Sequence, residues 1–250
     1  VQLRIVSGVP ISSEIRKIWQ ERFGAGFLNA FSYGQTEGSK LTLVTPDDPL
    51  PPLDSAGRVA EEFDVRIVDE NDNEVPAGEV GEIVYRPLRP HIMFHGYWKR
   101  PEETAKAWRN LWMHTGDLGR LKNGYLFFVD RKKDYLRSRG ENISSSEVEA
   151  TFINHPAVLD VAVHAVEAGT AEDEIKVTLV IHPESSVSCE DICRWSIDQL
   201  PYFAVPRYFE TRSDLPRNGT GKILKYQLRD EGITPTTWDR EAAGIAVRRR

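Results

Sequence analysis

Two cysteines in 250 residues, Cys189 and Cys193, are too few for a disulfide framework. With no further cysteine and no nearby histidine to complete a ligand set, they do not make a zinc site either. They read as ordinary side chains of a helix that starts after Ser188, and a chain this poor in cysteine fits a reducing cytoplasm. A basic surplus is also missing. The 32 Lys and Arg are outnumbered by 38 Asp and Glu, giving a net charge of -6, which argues against broad binding to nucleic acid or to an anionic membrane surface. Long apolar runs are absent as well: stretches such as Val177-Thr178-Leu179-Val180-Ile181 have the length of a strand and fall far short of a membrane span. There is no internal repeat and no low-complexity block. What remains is ordinary globular usage, 40% hydrophobic and 28% charged, in a length that suits one large or two ordinary domains.

Against that background one short run stands out. Ser32-Tyr33-Gly34-Gln35-Thr36-Glu37-Gly38 packs an aromatic face, a hydroxyl and a carboxylate into one glycine-flanked turn. An aromatic ring can lie against a purine, a threonine hydroxyl can donate to a phosphate oxygen, and a glutamate can hold a hard divalent cation. A tight polar turn at the end of a strand would account for Gly34 and Gly38 equally well.

The order of predicted elements gives the run a setting. Leu3 to Val6 reads as a strand, Ser13 opens a helix with Ile15, Ile18, Trp19 and Phe23 on one apolar face, and Phe27 to Phe31 returns as a strand. That unit delivers the Tyr33 run at a strand's C-terminal end, where open α/β sheets place their ligands. Pro46, Pro49, Pro51 and Pro52 then mark a connector to a β-rich part, with strands at Asp64 to Val68, Glu82 to Arg86 and Tyr125 to Val129 and one helix over Pro101 to Asn110. Beyond Asp134 the pattern turns compact α+β. It has a helix to Asn154 in which Ser144 and Glu147 have capping-box spacing, strands at Leu159 to Val166 and Ile175 to His182, a helix from Ser188 to Leu200, a strand at Tyr208 to Arg212 and a last helix after Gly221. The expected domains are 1-50 (the end of an α/β subdomain), 51-130 (a β-rich subdomain), a hinge at 131-134, a small domain over 135-231 and a weakly patterned tail over 232-250.

Three further segments follow the Tyr33 run in order. They are His114-Thr115-Gly116-Asp117, then Asp130-Arg131-Lys132-Lys133-Asp134 leading into Arg139-Gly140-Glu141-Asn142-Ile143, then Pro216-Arg217-Asn218-Gly219-Thr220-Gly221-Lys222. The last could be mistaken for a Walker A loop, but Pro216 replaces its first glycine and Ile223 stands where Ser or Thr would meet magnesium. As an ordered set, the four segments resemble the adenylate-forming superfamily of acyl-CoA synthetases, peptide-synthetase adenylation domains and luciferases. The stretch from Gly96-Tyr97-Trp98 to Val148-Glu149 resembles the acyl-CoA synthetase branch, within it the carnitine or crotonobetaine CoA ligases. The fold this implies is α/β, a partial large adenylate-forming domain followed by a small α+β domain.

The resemblance also implies roles. Tyr33 stacks on adenine, within a nucleotide-binding run of Ser32, Gly34, Gln35 and Thr36; Thr36 contacts phosphate and Glu37 ligates Mg2+. Gly8, Val9 and Pro10 line the adenine pocket, although Ser7 stands where the family has a first glycine. Asp117 accepts from the ribose hydroxyls and Arg131 contacts the same sugar. Lys222 bridges the carboxylate and the α-phosphate during adenylation, where negative charge builds up. Lys133 is the hinge about which the small domain turns, and Gly140, Glu141 and Asn142 then line a channel for pantetheine. The substrates the resemblance implies are a small-molecule carboxylic acid, ATP and coenzyme A. The sequence sets no oligomeric state, and a homodimer is compatible with it.

One part of the family pattern is missing. The Ser/Thr/Gly-rich phosphate loop followed by Pro-Lys-Gly belongs well upstream of Tyr33, and residues 1-32 do not contain it. The chain is therefore expected to be the C-terminal part of a longer synthetase, inactive by itself, with Val1 in place of Met consistent with that. Two other readings stay open: a noncatalytic fragment that binds nucleotide or a partner, and an adenylation domain that serves a carrier protein.

Overall fold

The computed structural model describes residues 5-7, 13-24, 27-29, 31-52, 55-138, 141-167, 174-219 and 221-247. The chain divides into two compact units, Val1–Lys132 and Lys133–Arg250.

The first unit begins with strand β1 (Ile5–Ser7), helix α1 (Ser13–Phe23) and strand β2 (Phe27–Asn29). β1 and β2 pair in parallel, as a strand-helix-strand crossover requires. The expected apolar face of α1 is uncovered at two positions: Ile18 and Phe23 are both exposed. The Tyr33 run is a small hairpin, β3 (Gly34–Gln35) against β4 (Ser39–Lys40). The remaining strands are β5 (Thr42–Leu43), β6 (Arg58–Val59), β7 (Phe63–Val68), β8 (Gly81–Pro87), β9 (Met113–Lys122) and β10 (Tyr125–Arg131). They form one antiparallel sheet in the order β5-β6-β10-β9-β8-β7. Leu41, Phe63, Ile67, Ile83, Tyr85, Met113 and Leu126 fill its core.

The helix expected over Pro101 to Asn110 is shorter. Helix α2 runs Pro101–Ala107 and is followed by a 3-10 turn, Arg109–Leu111, in which Asn110 takes a left-handed φ of 54°. Asparagine tolerates that conformation, and Trp108 turns from the helix to pack on Phe94. Trp98, Trp108 and Trp112 make no common cage. Trp98 is exposed, whereas Trp112 carries the guanidinium groups of Arg66 and Arg86 at 4.8 and 4.4 Å from its ring centre.

The second unit opens with a short hairpin, β11 (Leu136–Ser138) and β12 (Glu141–Ile143). Helix α3 (Ser145–Ile153) follows, capped by the Ser144 side chain, which accepts from the Glu147 amide at 3.3 Å. β13 (Val158–Val166) and β14 (Glu174–Ile181) are antiparallel neighbours. Helix α4 (Cys189–Gln199) has a complete capping box between Ser188 and Asp191. Next come β15 (Tyr208–Arg212), parallel to β14, and helix α5 (Lys225–Glu231). Side chains alternate across the sheet as strands dictate. Val161, Val163, Val177 and Leu179 pack with Phe152, Ile192 and Cys193 of the first two helices, whereas Ala162 and Val180 meet Leu228 of α5 on the other face. Both cysteines are unpaired, and burial raises each thiol above its ordinary range, to about 11 for Cys193.

The segment expected to be a weakly patterned tail belongs to this core through residue 247. Trp238–Asp239 form strand β16 against β15, and Ile245 is buried. Arg240 is 1% exposed, donating to the backbone carbonyls of Pro206 and Ile245. An arginine buried on backbone carbonyls has no periodic signature, which is why the sequence pattern did not reveal it. No helix among the described residues is long and apolar enough to cross a membrane.

Candidate nucleotide site

The hairpin that carries the Tyr33 run is tightened by two close approaches. A Cβ on Gly34 would lie 1.9 Å from the Ser39 carbonyl oxygen across the turn, and one on Gly38 would enter the Tyr85 ring at 2.4 Å from its oxygen. Only glycine fits either position. The strand leading in is held by the Thr42 hydroxyl, which accepts from the Tyr33 amide at 2.7 Å and donates to the Ala56 carbonyl at 2.6 Å.

From this hairpin two side chains reach β9. The buried Tyr33 hydroxyl donates to Asp117 Oδ2 at 2.7 Å, and Gln35 Nε2 donates to the Thr115 carbonyl at 3.0 Å and to the same Asp117 oxygen at 3.3 Å. Burial, and then the Asp117 carboxylate, push the Tyr33 phenol well above its usual range, so it stays a protonated donor. Its ring lies 6.1 Å from that of Phe128 at 29°. Tyr33 is thus first an orienting group for Asp117, a use its aromatic character did not suggest. Gln35 Oε1 is buried without a hydrogen-bond partner.

Asp117 sits directly opposite Arg131 in the β9/β10 ladder, with Arg131 Nε 3.8 Å from Oδ1. That pairing depends on a bulge at Val129, where the register shifts between Phe128 and Asp130. Were Val129 instead paired in a regular ladder, Asp130 would face Asp117, two carboxylates across one ladder position. A second irregularity, on β9 opposite Glu82 to Val84, turns Gly116 to φ 70° and directs its amide to Glu82 Oε1 at 3.2 Å. Glu82 also accepts from Arg109 and Lys132, each at 3.1 Å, and lies 3.4 Å from His114 Nδ1. Burial opposes the ionised form, but Lys132, His114 and the Gly116 amide outweigh it, and the Glu82 carboxyl lies below its ordinary range.

Thr36 and Glu37 lie at the hairpin's tip, the first exposed and the second half-buried. Glu37 Oε1 accepts from the Tyr97 hydroxyl at 2.8 Å; burial and that carboxylate push Tyr97 up to about 12. Thr36, Glu37, Lys40, Phe63, Arg89 and Phe94 are among the residues lining a cavity of about 570 Å3. No group of three or more His, Cys, Asp or Glu able to cage a metal ion occurs among the described residues. One carboxylate beside a hydroxyl suits a magnesium ion, which keeps waters and takes the rest of its octahedron from phosphates. Tyr97, Glu82 and Phe128 escaped the sequence reading as site residues. Tyr97 had a usable signal, its place in the Gly96-Tyr97-Trp98 segment; the other two look like any strand positions.

The remaining expected residues belong to the second unit or fall outside the described residues. Ser32 is half-buried at the entrance to the hairpin. Gly8, Val9, Pro10 and Gly140 lie outside the described residues. Glu141 and Asn142 are exposed on β12, opposite Ser138 and Arg137. Lys133 is exposed, and its carbonyl accepts from Arg229 at 3.3 Å. Lys222 is exposed on a loop closed by a bridge between Arg217 and Ile223; its amide donates to Asn218 Oδ1 and its carbonyl accepts from the Asn218 amide, each at 2.9 Å. It precedes α5 rather than lying on it.

Residues 1–98 match the AMP-binding enzyme family and residues 147–222 match the AMP-binding enzyme C-terminal domain. A long-chain-fatty-acid–CoA ligase of Escherichia coli O6:H1 is 35% identical over 225 residues, 90% of this chain and 39% of that protein. A crotonobetaine/carnitine–CoA ligase of Salmonella arizonae is 34% identical over 223 residues, 88% of this chain and 42% of that one. Among solved structures, the o-succinylbenzoate coenzyme A synthetase of Bacillus subtilis in complex with AMP superposes with a TM-score of 0.76 at 30% identity, covering 92% of this chain and 47% of its own. The chain spans about two fifths of the length of these curated ligases. With both halves of the family pattern matched in order and the fold shared, the chain belongs to the AMP-binding, adenylate-forming enzymes, of which it carries the C-terminal portion.

Proposed function

We propose that this chain is the C-terminal part of an ATP-dependent carboxylate–CoA ligase acting in the cytoplasm. It would first join the acid to AMP with loss of pyrophosphate and then pass the acyl group to the thiol of coenzyme A. The observation that carries the reading is the meeting of three sequence-distant motifs on one carboxylate: Tyr33 and Gln35, then Asp117, then Arg131. An acceptor-only group, aimed by two donors and flanked by a guanidinium, suits a ribose diol.

In this reading Asp117 and Arg131 take the sugar, and Tyr33 and Gln35 the adenosine end. Gly8, Val9 and Pro10 belong to the same pocket. Thr36 donates to phosphate oxygen and Glu37 holds Mg2+. Lys222 supplies positive charge to the carboxylate and α-phosphate as they approach, which lowers the barrier where charge builds up. Lys133 is the hinge, and the Gly140-Glu141-Asn142 segment serves the pantetheine arm in the second step.

The test uses the full-length protein that contains this chain, given ATP, Mg2+, CoA and a panel of carboxylic acids that includes long-chain fatty acids and carnitine. Acid-dependent release of AMP and pyrophosphate is expected. Nucleotide binding without AMP release for any acid would favour a noncatalytic fragment instead, and acyl transfer to a carrier protein but not to CoA would favour the adenylation-domain reading. The 250-residue chain tested alone is expected to show no steady turnover.

A further inference from the structure

The residues on either side of Lys133 are fastened, each within its own unit. On one side, the Lys132 amide donates to the Gly116 carbonyl at 2.8 Å and its ammonium reaches Glu82 at 3.1 Å, and Glu82 is itself 4% exposed and holds the Gly116 amide. Lys132 is therefore bound to the turn that presents Asp117. On the other side, the buried Asp134 carboxylate is paired with Arg229, and the same guanidinium donates to the Lys133 carbonyl. Arg229 lies on α5, the helix that follows directly on the Lys222 loop. Lys225 on that helix is in turn bound to Ser145 and Glu149 of α3, each at 2.7 Å.

We propose that Lys132–Glu82 and Asp134–Arg229 are paired clamps that confine rotation between the units to the backbone of Lys132 and Lys133. Arg229 is then a positioning residue that ties this pivot to the Lys222 loop. The inference rests on the ligase reading above for its catalytic consequence, and on the hydrogen bonds alone for the pivot. A chain segment fixed at both ends by hydrogen-bonded charge pairs opens rarely, whereas removing one partner lets neighbouring torsions share the motion. Spreading the pivot would leave the two half-reactions with differently populated orientations, and their rates would part.

The experiment is carried out on the full-length protein with Lys132→Met, Arg229→Gln and the conservative Arg229→Lys. Asp134→Asn combined with Arg229→Gln guards against a buried unpaired charge. Amide hydrogen exchange of the peptide spanning residues 130-136 is measured beside pyrophosphate exchange and thioester formation from a supplied acyl adenylate. Arg229→Gln and Lys132→Met are expected to raise exchange in that peptide at least severalfold while leaving the β7/β8 pairing protected. They should also change the ratio of the two half-reaction rates by about tenfold, with Arg229→Lys recovering part of it. Unchanged exchange overturns the clamps whatever the activity. Raised exchange with both half-reactions falling in step overturns the coupling. A wild-type protein that releases no pyrophosphate with any acid overturns the ligase reading, while exchange still judges the clamps.

Discussion

Tyr33 and Asp117, 84 positions apart in the chain, share a hydrogen bond of 2.7 Å that ties the glycine-flanked hairpin to the central strand of the first unit. Tyr33→Phe keeps the ring and removes the donor, so a buried carboxylate loses a close hydrogen-bond partner. A hydrogen bond to a charged group contributes about 1.5 to 3 kcal/mol. The first unit should lose stability of that order in denaturant unfolding, and nucleotide titration of the full-length protein should weaken by about tenfold. Unchanged affinity would detach Tyr33 from the nucleotide.

Lys222→Ala separates the half-reactions. Adenylation, followed by acid-dependent pyrophosphate exchange, should fall by at least about a hundredfold, the scale on which a single stabilising charge acts. Thioester formation from a supplied acyl adenylate should be spared. Exchange at a near wild-type rate would remove Lys222 from the first step.

Gly38→Ala tests the hairpin's packing against the buried Tyr85 ring. The new Cβ would stand 2.4 to 2.6 Å from three atoms of that side chain, which is 0% exposed. Overpacking of this kind destabilises by about 1 to 3 kcal/mol. A stability loss below 0.5 kcal/mol in urea unfolding would mean that Tyr85 yields freely.

His164 gives the second unit an acid sensitivity. Its ring is fully buried beside Thr178 and on the strand next to Lys176, and burial lowers its pKa from 6.5 to about 4. The unfolded chain therefore binds a proton that the folded chain refuses between those two values, so stability is full above about 6.5 and declines as pH falls toward 4. The shift corresponds to roughly 3 kcal/mol. Thermal unfolding between pH 7 and 4 should show the slope, and His164→Gln should flatten most of it. Glu210 acts lower: against burial, Lys176 and Arg212 hold it at about 2, and its contribution fades as pH falls from 4.5 toward that value.

What the sequence made legible was what depends on residue type and short spacing. β15 was read at its full extent and α4 to within a residue, because Ser188 starts the helix and the adjacent aromatics Tyr208 and Phe209 suit a strand. The convergence on Asp117 was implied only through resemblance. Its geometry rests on a bulge at Val129 and on a tyrosine turned to hydrogen bonding, and neither leaves a pattern in a window of neighbours. The break after Ala107 and the buried Arg240 were missed for the same reason, since a left-handed asparagine and an arginine satisfied by backbone carbonyls are decided by distant packing.

Strand β16 lies along β15, whose other side is already paired with β14. Clipping the chain after Glu231 would strip that cover and bare a row of amides and carbonyls beside the apolar Tyr208-Phe209 stretch. An open edge of this sort is a template for other chains. A shortened protein would then be lost to self-association before any effect on nucleotide chemistry could be seen, so the last strand acts as a guard against aggregation.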